Sequence, residues 1–459
     1  MTRVLRVAHS GCPPCKDQLL PLFPSIDPLP PIADVALPWD EPSLDPVADL
    51  AEARATYGDT FVVDSGGSRF LFLFSPVGVR SFYGLPESSA SKGLADWQLL
   101  RRKLPDELFA GRRTFPHDLF KRDDVVQYLG ALDQAITVSF DELGDAGDLE
   151  VFAFTRRLGH RLGLACWAGE QPTSDARFDE LIAALDALDA SAAFVHPGDM
   201  AAVAQRGKQR ERVALQTAER LLADAVVAHD QGDRAANVLF GEIVDRWSDV
   251  AEPERSRGIA GDVVLVHLGS MSNLFAALAW TIIHATQDPA VADRLADHEP
   301  GLAERCALES TRLAQRSIMM RAVVRPITVD DGERTYEVAA GATVATLLPL
   351  TNCSAMAGLA DYDPDRWQRR RLRDEADLPA RELVTTFGHG SHTCPAQPFS
   401  LSAISRSLTR LIDTFELTGP ERRPEPLAEQ IGGVARGDQP CIVTYRTRAP
   451  ARLGRRPAW

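Results

Sequence analysis

The chain has 459 residues, 45% of them hydrophobic and 25% charged, which is an ordinary composition for a soluble globular protein. Its formal charge of −14 argues against a general nucleic-acid-binding protein. Seven scattered cysteines, an odd number, do not make a disulfide framework, so we expect a reducing compartment, the cytoplasm.

Residues 1–47 are predicted to form a proline-rich, extended segment ahead of a single large domain over residues 48–459. Cys12 and Cys15 have the spacing of a redox dithiol. Prolines follow them, however, where such a motif needs a strand and a helix, so a surface segment is favoured. No signal peptide is predicted, because a basic region followed by an apolar core and a cleavage site is missing.

Two short apolar runs, residues 60–63 and 70–74, predict a β-hairpin around a glycine turn. From about residue 90 to residue 325 the apolar residues recur with helical periodicity. Within this region, residues 263–284 are predicted to form a long apolar helix that is interrupted at residues 269–273. Because these polar residues break it, no apolar stretch reaches the roughly 18 residues of a membrane span, and no spanning helix is predicted.

The helical pattern continues over residues 302–320, and residues 322–350 then favour β-strands. A further helix is predicted for residues 397–411 and a strand for residues 441–445. The sequence therefore predicts a mainly α-helical fold with small β-sheets formed by both ends of the chain.

Residues 387–396 read Phe-Gly-His-Gly-Ser-His-Thr-Cys-Pro-Ala and place Cys394 on a glycine turn directly before a predicted helix. Unpaired N–H groups and the helix dipole at such a position favour a thiolate. This thiolate is either a nucleophile or an axial ligand of a haem iron. The structural alternative is a buried cysteine in a glycine-rich turn.

The segment resembles the haem-ligand loop of the cytochromes P-450, which has the pattern Phe-x-x-Gly-x-(Arg/His)-x-Cys-x-Gly. Phe387, Gly390, His392 and Cys394 match this pattern, and Ala396 replaces its last glycine. The resemblance implies the cytochrome P-450 fold, a helical bundle around a buried haem b, with Cys394 as the ligand of the iron.

Two further segments occur in the order found in that family. Trp97 and Arg101 match its Trp-x-x-x-Arg helix, which implies that they bind a haem propionate together with Arg321 and His392. Taken alone, Trp97 and Arg101 are equally typical of a half-buried helix face.

The second segment comprises Glu309 and Arg312 on one predicted helix and Arg366 after the predicted strands. Residues three apart share one helix face, so Glu309 and Arg312 can pair. The resemblance implies that the three form a buried ionic triad on the proximal side of the haem.

The distal helix of the family carries (Ala/Gly)-Gly-x-(Asp/Glu)-Thr, whose acid and threonine relay protons during dioxygen activation. With Trp280 as the anchor of the alignment, Ser272 takes the place of the acid and Asn273 that of the threonine. Proton delivery is therefore expected to rely on Ser272, Asn273 or water. The asparagine resembles the subgroup of the cholesterol and bile-acid hydroxylases and prostacyclin synthase, while a polar helix kink without a catalytic role is the alternative.

The resemblance implies a bacterial-type, soluble monooxygenase that inserts one oxygen atom from O2 into an apolar, steroid- or lipid-like small molecule. It also implies that a ferredoxin or flavodoxin docks on the proximal face, where an arginine cluster occurs in an otherwise acidic chain. The cluster consists of Arg369, Arg370, Arg371 and Arg373. A solvated loop is the alternative for this cluster.

Two other functions remain open. A haem-thiolate isomerase or dehydratase would act on a peroxide without external electrons, as one member of the asparagine subgroup does. A haem-binding sensor or carrier is the third possibility, which the long helical region before residue 260 disfavours because it leaves room for a substrate pocket.

Overall fold

The computed structural model describes residues 23–38, 43–110, 119, 125–169, 173, 177–189, 202–203, 205–232, 238–368 and 377–448. Helices predominate in this part of the chain, which confirms the predicted fold class. The α-helices are α1 (Pro46–Tyr57), α2 (Pro76–Gly84), α3 (Lys92–Lys103), α4 (Val125–Asp141), α5 (Val151–Trp167), α6 (Arg177–Asp189), α7 (Gln209–Asp230), α8 (Val238–Arg246), α9 (Glu254–Gln287), α10 (Pro289–Ala296), α11 (Leu302–Ala314), α12 (Leu348–Ser354) and α13 (Gln397–Thr414).

Three small β-sheets flank these helices within the described ranges. The strands are β1 (Ile26–Asp27), β2 (Thr60–Ser65), β3 (Ser68–Leu73), β4 (Ala90–Ser91), β5 (Ala146–Glu150), β6 (Ile318–Val323), β7 (Ile327–Asp330), β8 (Thr335–Val338), β9 (Thr343–Leu347), β10 (Phe415–Thr418) and β11 (Ile442–Thr447). The largest sheet has the order β2-β3-β9-β6-β4, and the smaller sheets have the orders β1-β8-β7 and β10-β11-β5.

The predicted hairpin is confirmed, since β2 and β3 pair antiparallel with Thr60 opposite Leu73. Strand β3 then pairs in parallel with β9, which joins the N-terminal hairpin to the second half of the chain. The described part of the proline-rich segment runs along these sheets: Ile26 of β1 lies opposite Val338 of β8.

Helix α9 crosses the centre of the molecule and packs against α5, α7, α11 and α13. The predicted interruption at residues 269–273 is wrong, because α9 runs unbroken through it. The polar side chains there are satisfied without breaking the helix: Ser270 Oγ donates to Val266 O at 2.7 Å, and Ser272 and Asn273 bond to other elements. Among the described helices α9 is the one long and apolar enough to cross a membrane, and 67% of its apolar stretch is buried inside the fold, as expected of a core helix.

The predicted helix over residues 302–320 ends early, at Ala314. Residues from Ile318 onward form β6, in which Arg321 lies opposite Val344 of β9. Pairing with a strand that is distant in the sequence thus overrides the local helical pattern. As a result, Met320 and Arg321 point to opposite faces of a sheet instead of lying on one helix.

The start of α13 is fixed by one aromatic side chain. Phe399 is almost completely buried, and its ring contacts Tyr128 of α4 and Trp167 of α5, with centroid distances of 5.2 and 5.4 Å. The loop that precedes α13, which carries Cys394, is therefore held against the helical core.

Candidate functional site

The Cys394 loop is a compact turn closed by backbone hydrogen bonds. The Cys394 N–H donates to Phe387 O at 2.7 Å, and the Thr393 N–H donates to Gly390 O at 3.2 Å. Gly388 and Gly390 have φ values of 83° and 59°, a left-handed conformation that glycine adopts without a steric penalty. The predicted glycine turn is thus present, and the half-buried Cys394 side chain packs against the helical core.

Two opposing effects act on the thiol of Cys394. Burial raises its pKa, while the N–H groups of Ala396 and Gln397 and the charge of Lys92 oppose that rise. The expected stabilisation of the thiolate by the helix start is therefore present but outweighed by burial in the protein alone. A bound metal cation would reverse the balance, because a coordinating thiol is deprotonated outright.

These features fit a haem iron at the thiolate side. Backbone N–H groups directed at a cysteine sulfur stabilise a thiolate ligand and tune it. Within the described residues, no three His, Cys, Asp or Glu side chains come together to hold a bare metal ion. A single cysteine ligand suits a metal whose other equatorial ligands come from a macrocycle.

Glu309 and Arg312 of α11 form an ion pair that is fully buried. The Arg312 guanidinium donates to both carboxylate oxygens, from Nε at 2.8 Å and from Nη2 at 2.7 Å. Arg366 adds a second cation, with Nε 3.4 Å from Glu309 Oε1, and Trp367 Nε1 donates to Glu309 Oε2 at 3.0 Å. The three charged residues that were predicted to form a triad thus lie together.

The other side of Arg312 holds the chain that leads to the cysteine loop. Its Nη1 donates to the backbone oxygens of Asn352 and Leu359, each at 2.7 Å. The Asn352 side chain in turn accepts from the Thr385 N–H at 2.8 Å, two residues before Phe387. A continuous set of hydrogen bonds therefore connects α11 to the start of the Cys394 loop.

Trp97 and Arg101 lie one turn apart on α3 and contact each other. The Arg101 guanidinium stacks on the Trp97 ring at 4.6 Å from the centroid and pairs with Asp106 at 3.0 Å. Both side chains are exposed to a similar degree, Trp97 at 38%. The predicted role of this pair in binding a propionate stays a prediction.

Arg321 is fully buried on β6 and faces away from Met320. Its guanidinium donates to Ala90 O at 2.9 Å and to Phe82 O at 3.2 Å, which ties β6 to α2 and β4. Its Nη2 atom lies 3.5 Å from Glu87 and makes no hydrogen bond. Its predicted contact with a propionate also stays a prediction.

The remaining predicted site residues lie partly outside the described part of the chain. His392 is described only by its backbone, in the short helical turn Gly390–His392. The arginine cluster at residues 369–373 falls on residues that the structure does not describe. Phe387 closes the cysteine loop through its carbonyl oxygen and borders a second cavity of about 860 Å³ between the loop, α11 and α13.

A cavity of about 340 Å³ lies between α3, α9, β6 and residues 430–436. Ser272 and Asn273 both border it, so the structure brings together the two residues predicted for the distal helix. Asn273 Oδ1 accepts from the Val434 N–H at 2.9 Å. Ser272 Oγ donates to Asp189 Oδ2 at 2.8 Å.

Several charged residues at this cavity were not anticipated from the sequence. One face of α3 contributes Lys92 and Lys103, α6 contributes Asp189, and the C-terminal loop contributes Arg436. Lys92 pairs with Asp96 within α3, and its charge also acts on Cys394. A helical spacing shows that Lys92 and Lys103 share a face, but no local pattern shows that α6 and α9 meet there.

Comparison with known proteins supports the family resemblance. No protein-family model matches the chain. Over 437 residues, 88% of this chain, it is 20% identical to 24-hydroxycholesterol 7-alpha-hydroxylase from Homo sapiens, 90% of which is covered. It is also 24% identical to the protein of the same name from Mus musculus over 147 residues, 31% of this chain and 30% of that protein.

These relatives are cytochromes P-450. The similarity therefore supports placing the chain in the cytochrome P-450 superfamily, with oxidoreductase activity of the monooxygenase class at that level. It likewise implies a haem cofactor, a hydrophobic substrate and a redox partner at the level of the superfamily.

Proposed function

We propose that the chain is a haem-thiolate monooxygenase that inserts one oxygen atom from O2 into an apolar, steroid- or lipid-like small molecule. The observation that carries this proposal is the Cys394 loop, a tight turn that directs backbone N–H groups at one half-buried thiol. The sterol-derived substrate named in the human relative supports the substrate class.

Cys394 would hold the iron of haem b, with Phe387 closing the loop, and Trp97, Arg101, Arg321 and His392 are proposed to bind the porphyrin. When bound, haem supplies the reductive activation of dioxygen, and a thiolate ligand donates the electron density that favours O–O cleavage. The protein contributes binding, orientation and exclusion of water.

The cavity beside Ser272 and Asn273 suits an apolar ligand. Apolar side chains from α3, α9, β6 and the C-terminal loop line much of it: Leu99, Leu100, Leu268, Ile318, Met320 and Ile431. Pockets of this kind bind apolar molecules and orient them by a few polar groups. Ser272 and Asn273 are the polar groups that would orient water and protons here.

Asn273 is fixed as a donor toward the cavity. Its Oδ1 is used by the Val434 N–H, and among the described residues its Nδ2 makes no hydrogen bond. An amide nitrogen donates and never accepts. Asn273 would therefore hold an acceptor, such as the oxygen of an ordered water, inside the cavity.

Electrons are proposed to come from a ferredoxin or flavodoxin in the cytoplasm. The arginine cluster at residues 369–373 is the proposed docking site, and its charge in a chain of net charge −14 would steer an acidic partner.

The test of the cofactor is a spectrum of the reduced protein with carbon monoxide. We expect the absorption of a thiolate-ligated haem in the wild type and its loss in Cys394→Ala. Cys353→Ala is the matched control, because Cys353 is also a half-buried free cysteine, and it should keep the spectrum. An imidazole-type spectrum, or an unchanged spectrum in Cys394→Ala, would contradict the proposal.

A second candidate function is a haem-thiolate isomerase or dehydratase. The observation in its favour is that α9 presents Ser272 and Asn273, and no carboxylate of its own, among the described residues that border the cavity. A ferredoxin, its reductase and NADPH should support substrate-dependent NADPH consumption if the chain is a monooxygenase. Turnover of a hydroperoxide without any electron donor would favour the isomerase.

A further inference from the structure

A buried carboxylate joins three helices at the polar edge of the cavity. Asp189, the last residue of α6, is only 5% exposed. Its Oδ2 accepts from Ser272 Oγ of α9 at 2.8 Å, and its Oδ1 lies 3.4 Å from Lys103 Nζ of α3. The Lys103 ammonium also donates to the backbone oxygen of Asp189.

The surroundings of Asp189 keep it ionised. Burial alone would raise its pKa, but Lys103, Arg156, the Ser272 hydroxyl and Arg436 outweigh burial and hold the pKa below its usual value. Arg156 of α5 lies 3.8 Å from Oδ2. An ionised carboxylate only accepts hydrogen bonds, so the hydrogen between Ser272 and Asp189 belongs to Ser272.

This assignment fixes the direction in which Ser272 interacts with the cavity. A hydroxyl has one hydrogen and two acceptor lone pairs. Since Asp189 occupies the hydrogen, Ser272 presents only lone pairs to a ligand. Asn273, whose oxygen is held by Val434, presents its N–H groups beside it.

We propose that Asp189 is a positioning residue that fixes Ser272 as a hydrogen-bond acceptor, so that the cavity selects apolar ligands carrying a hydroxyl or N–H directed at Ser272. This inference deepens the proposed function and rests on it. It also defines how Ser272 holds an ordered water, which would donate one hydrogen to Ser272 and accept from Asn273.

The substitution Asp189→Asn is expected to reverse this direction. The carbonyl oxygen of the introduced amide would face the Lys103 ammonium, because the amide nitrogen cannot accept its proton. The amide N–H groups would then face Ser272 and occupy its lone pairs. The Ser272 hydrogen would be released toward the cavity, which would favour acceptors over donors.

Imidazole and 1-methylimidazole form a matched pair of probes for the haem-loaded protein. Each binds iron through its unsubstituted nitrogen, and only imidazole carries an N–H on the opposite side. The readout is the ratio of their dissociation constants from absorbance titrations, which a general loosening of the cavity moves little because it weakens both probes.

We expect the wild type to prefer imidazole, and Asp189→Asn to reduce that preference about tenfold, the size of one hydrogen bond. Ser272→Ala should reduce it similarly, and the double variant should lose no more than Ser272→Ala alone, because both changes remove the same interaction. Ser270→Ala is the control, since Ser270 Oγ donates to Val266 O within α9, and it should leave the ratio unchanged.

An absent preference in the wild type, or an unchanged ratio in Ser272→Ala, would overturn the inference while an intact carbon monoxide spectrum leaves the proposed function standing. If Asp189→Asn folds poorly, the Ser272→Ala ratio still decides. A protein without a thiolate-ligated haem would overturn the proposed function and this inference with it.

Discussion

Removal of the charge on Glu309 offers a direct test of the buried ionic cluster on α11. The carboxylate of Glu309 has no exposed surface and receives hydrogen bonds from Arg312 at 2.7 and 2.8 Å, from Trp367 at 3.0 Å and from the Asp363 N–H at 3.2 Å. Arg366 lies 3.4 Å away as a second cation. The substitution Glu309→Gln keeps the shape of this side chain and removes its charge.

The cost follows from what remains around Arg312. Its Nη1 keeps two backbone partners, but Nε and Nη2 lose their charged acceptor while staying fully buried. Breaking a buried pair by removing one partner costs about 3–5 kcal/mol. The glutamine oxygen still accepts one hydrogen bond, so we expect a loss of about 3 kcal/mol of unfolding free energy.

Equilibrium urea unfolding at pH 7, followed by far-UV circular dichroism, measures this loss, and the haem content per protein gives a second readout. Glu304→Gln on the same helix is the control, because Glu304 is exposed, and it should change the unfolding free energy by less than about 0.5 kcal/mol. A Glu309→Gln protein as stable as the Glu304→Gln protein would refute the reasoning.

Two further predictions concern α9. A Cβ atom at Gly258 would lie 2.1 Å from the Trp247 ring, so Gly258→Ala should cost about 1–3 kcal/mol, whereas Gly261→Ala, whose nearest neighbour would lie at 3.8 Å, should be neutral or stabilising by up to about 1 kcal/mol; equal unfolding midpoints for the two variants would contradict this. Burial, with two nearby arginines, lowers the pKa of His284 to about 3, so the unfolded chain binds a proton below about pH 6.5 that the folded state resists. Stability should therefore fall by about 1.4 kcal/mol per pH unit from this residue as the pH drops below about 6.5. Urea unfolding between pH 7.5 and 5 should show this slope in the wild type and in the exposed-site control His298→Asn, and its loss in His284→Gln.

Local patterns predicted the elements whose formation depends on neighbours in the chain. The hairpin of β2 and β3 follows from two apolar runs around a glycine turn, and both strands occur as predicted. The turn at Cys394 follows from its glycines, two of which adopt positive φ values. Glu309 and Arg312 pair because a spacing of three puts them on one helix face.

Predictions failed where a distant partner changed the outcome. Residues 315–320 continue a helical pattern, but β9 supplies a strand partner, so β6 forms from Ile318 onward. Polar residues in the middle of α9 suggested a break, but the helix continues because Ser272 and Asn273 find partners on α6 and in the C-terminal loop. Neither partner can be identified from the sequence near the affected residue.

The sequence by itself determined the fold class, the Cys394 turn and the order of the ionic residues, because backbone sterics and helical spacing act over a few residues. Only the tertiary structure decided that Asp189 meets Ser272, 83 positions away in the chain, beside Lys103. The charge and direction of that contact depend on burial and on cations from α3 and α5, and therefore on packing between helices. The chemistry at the polar edge of the cavity is thus a property of the folded protein.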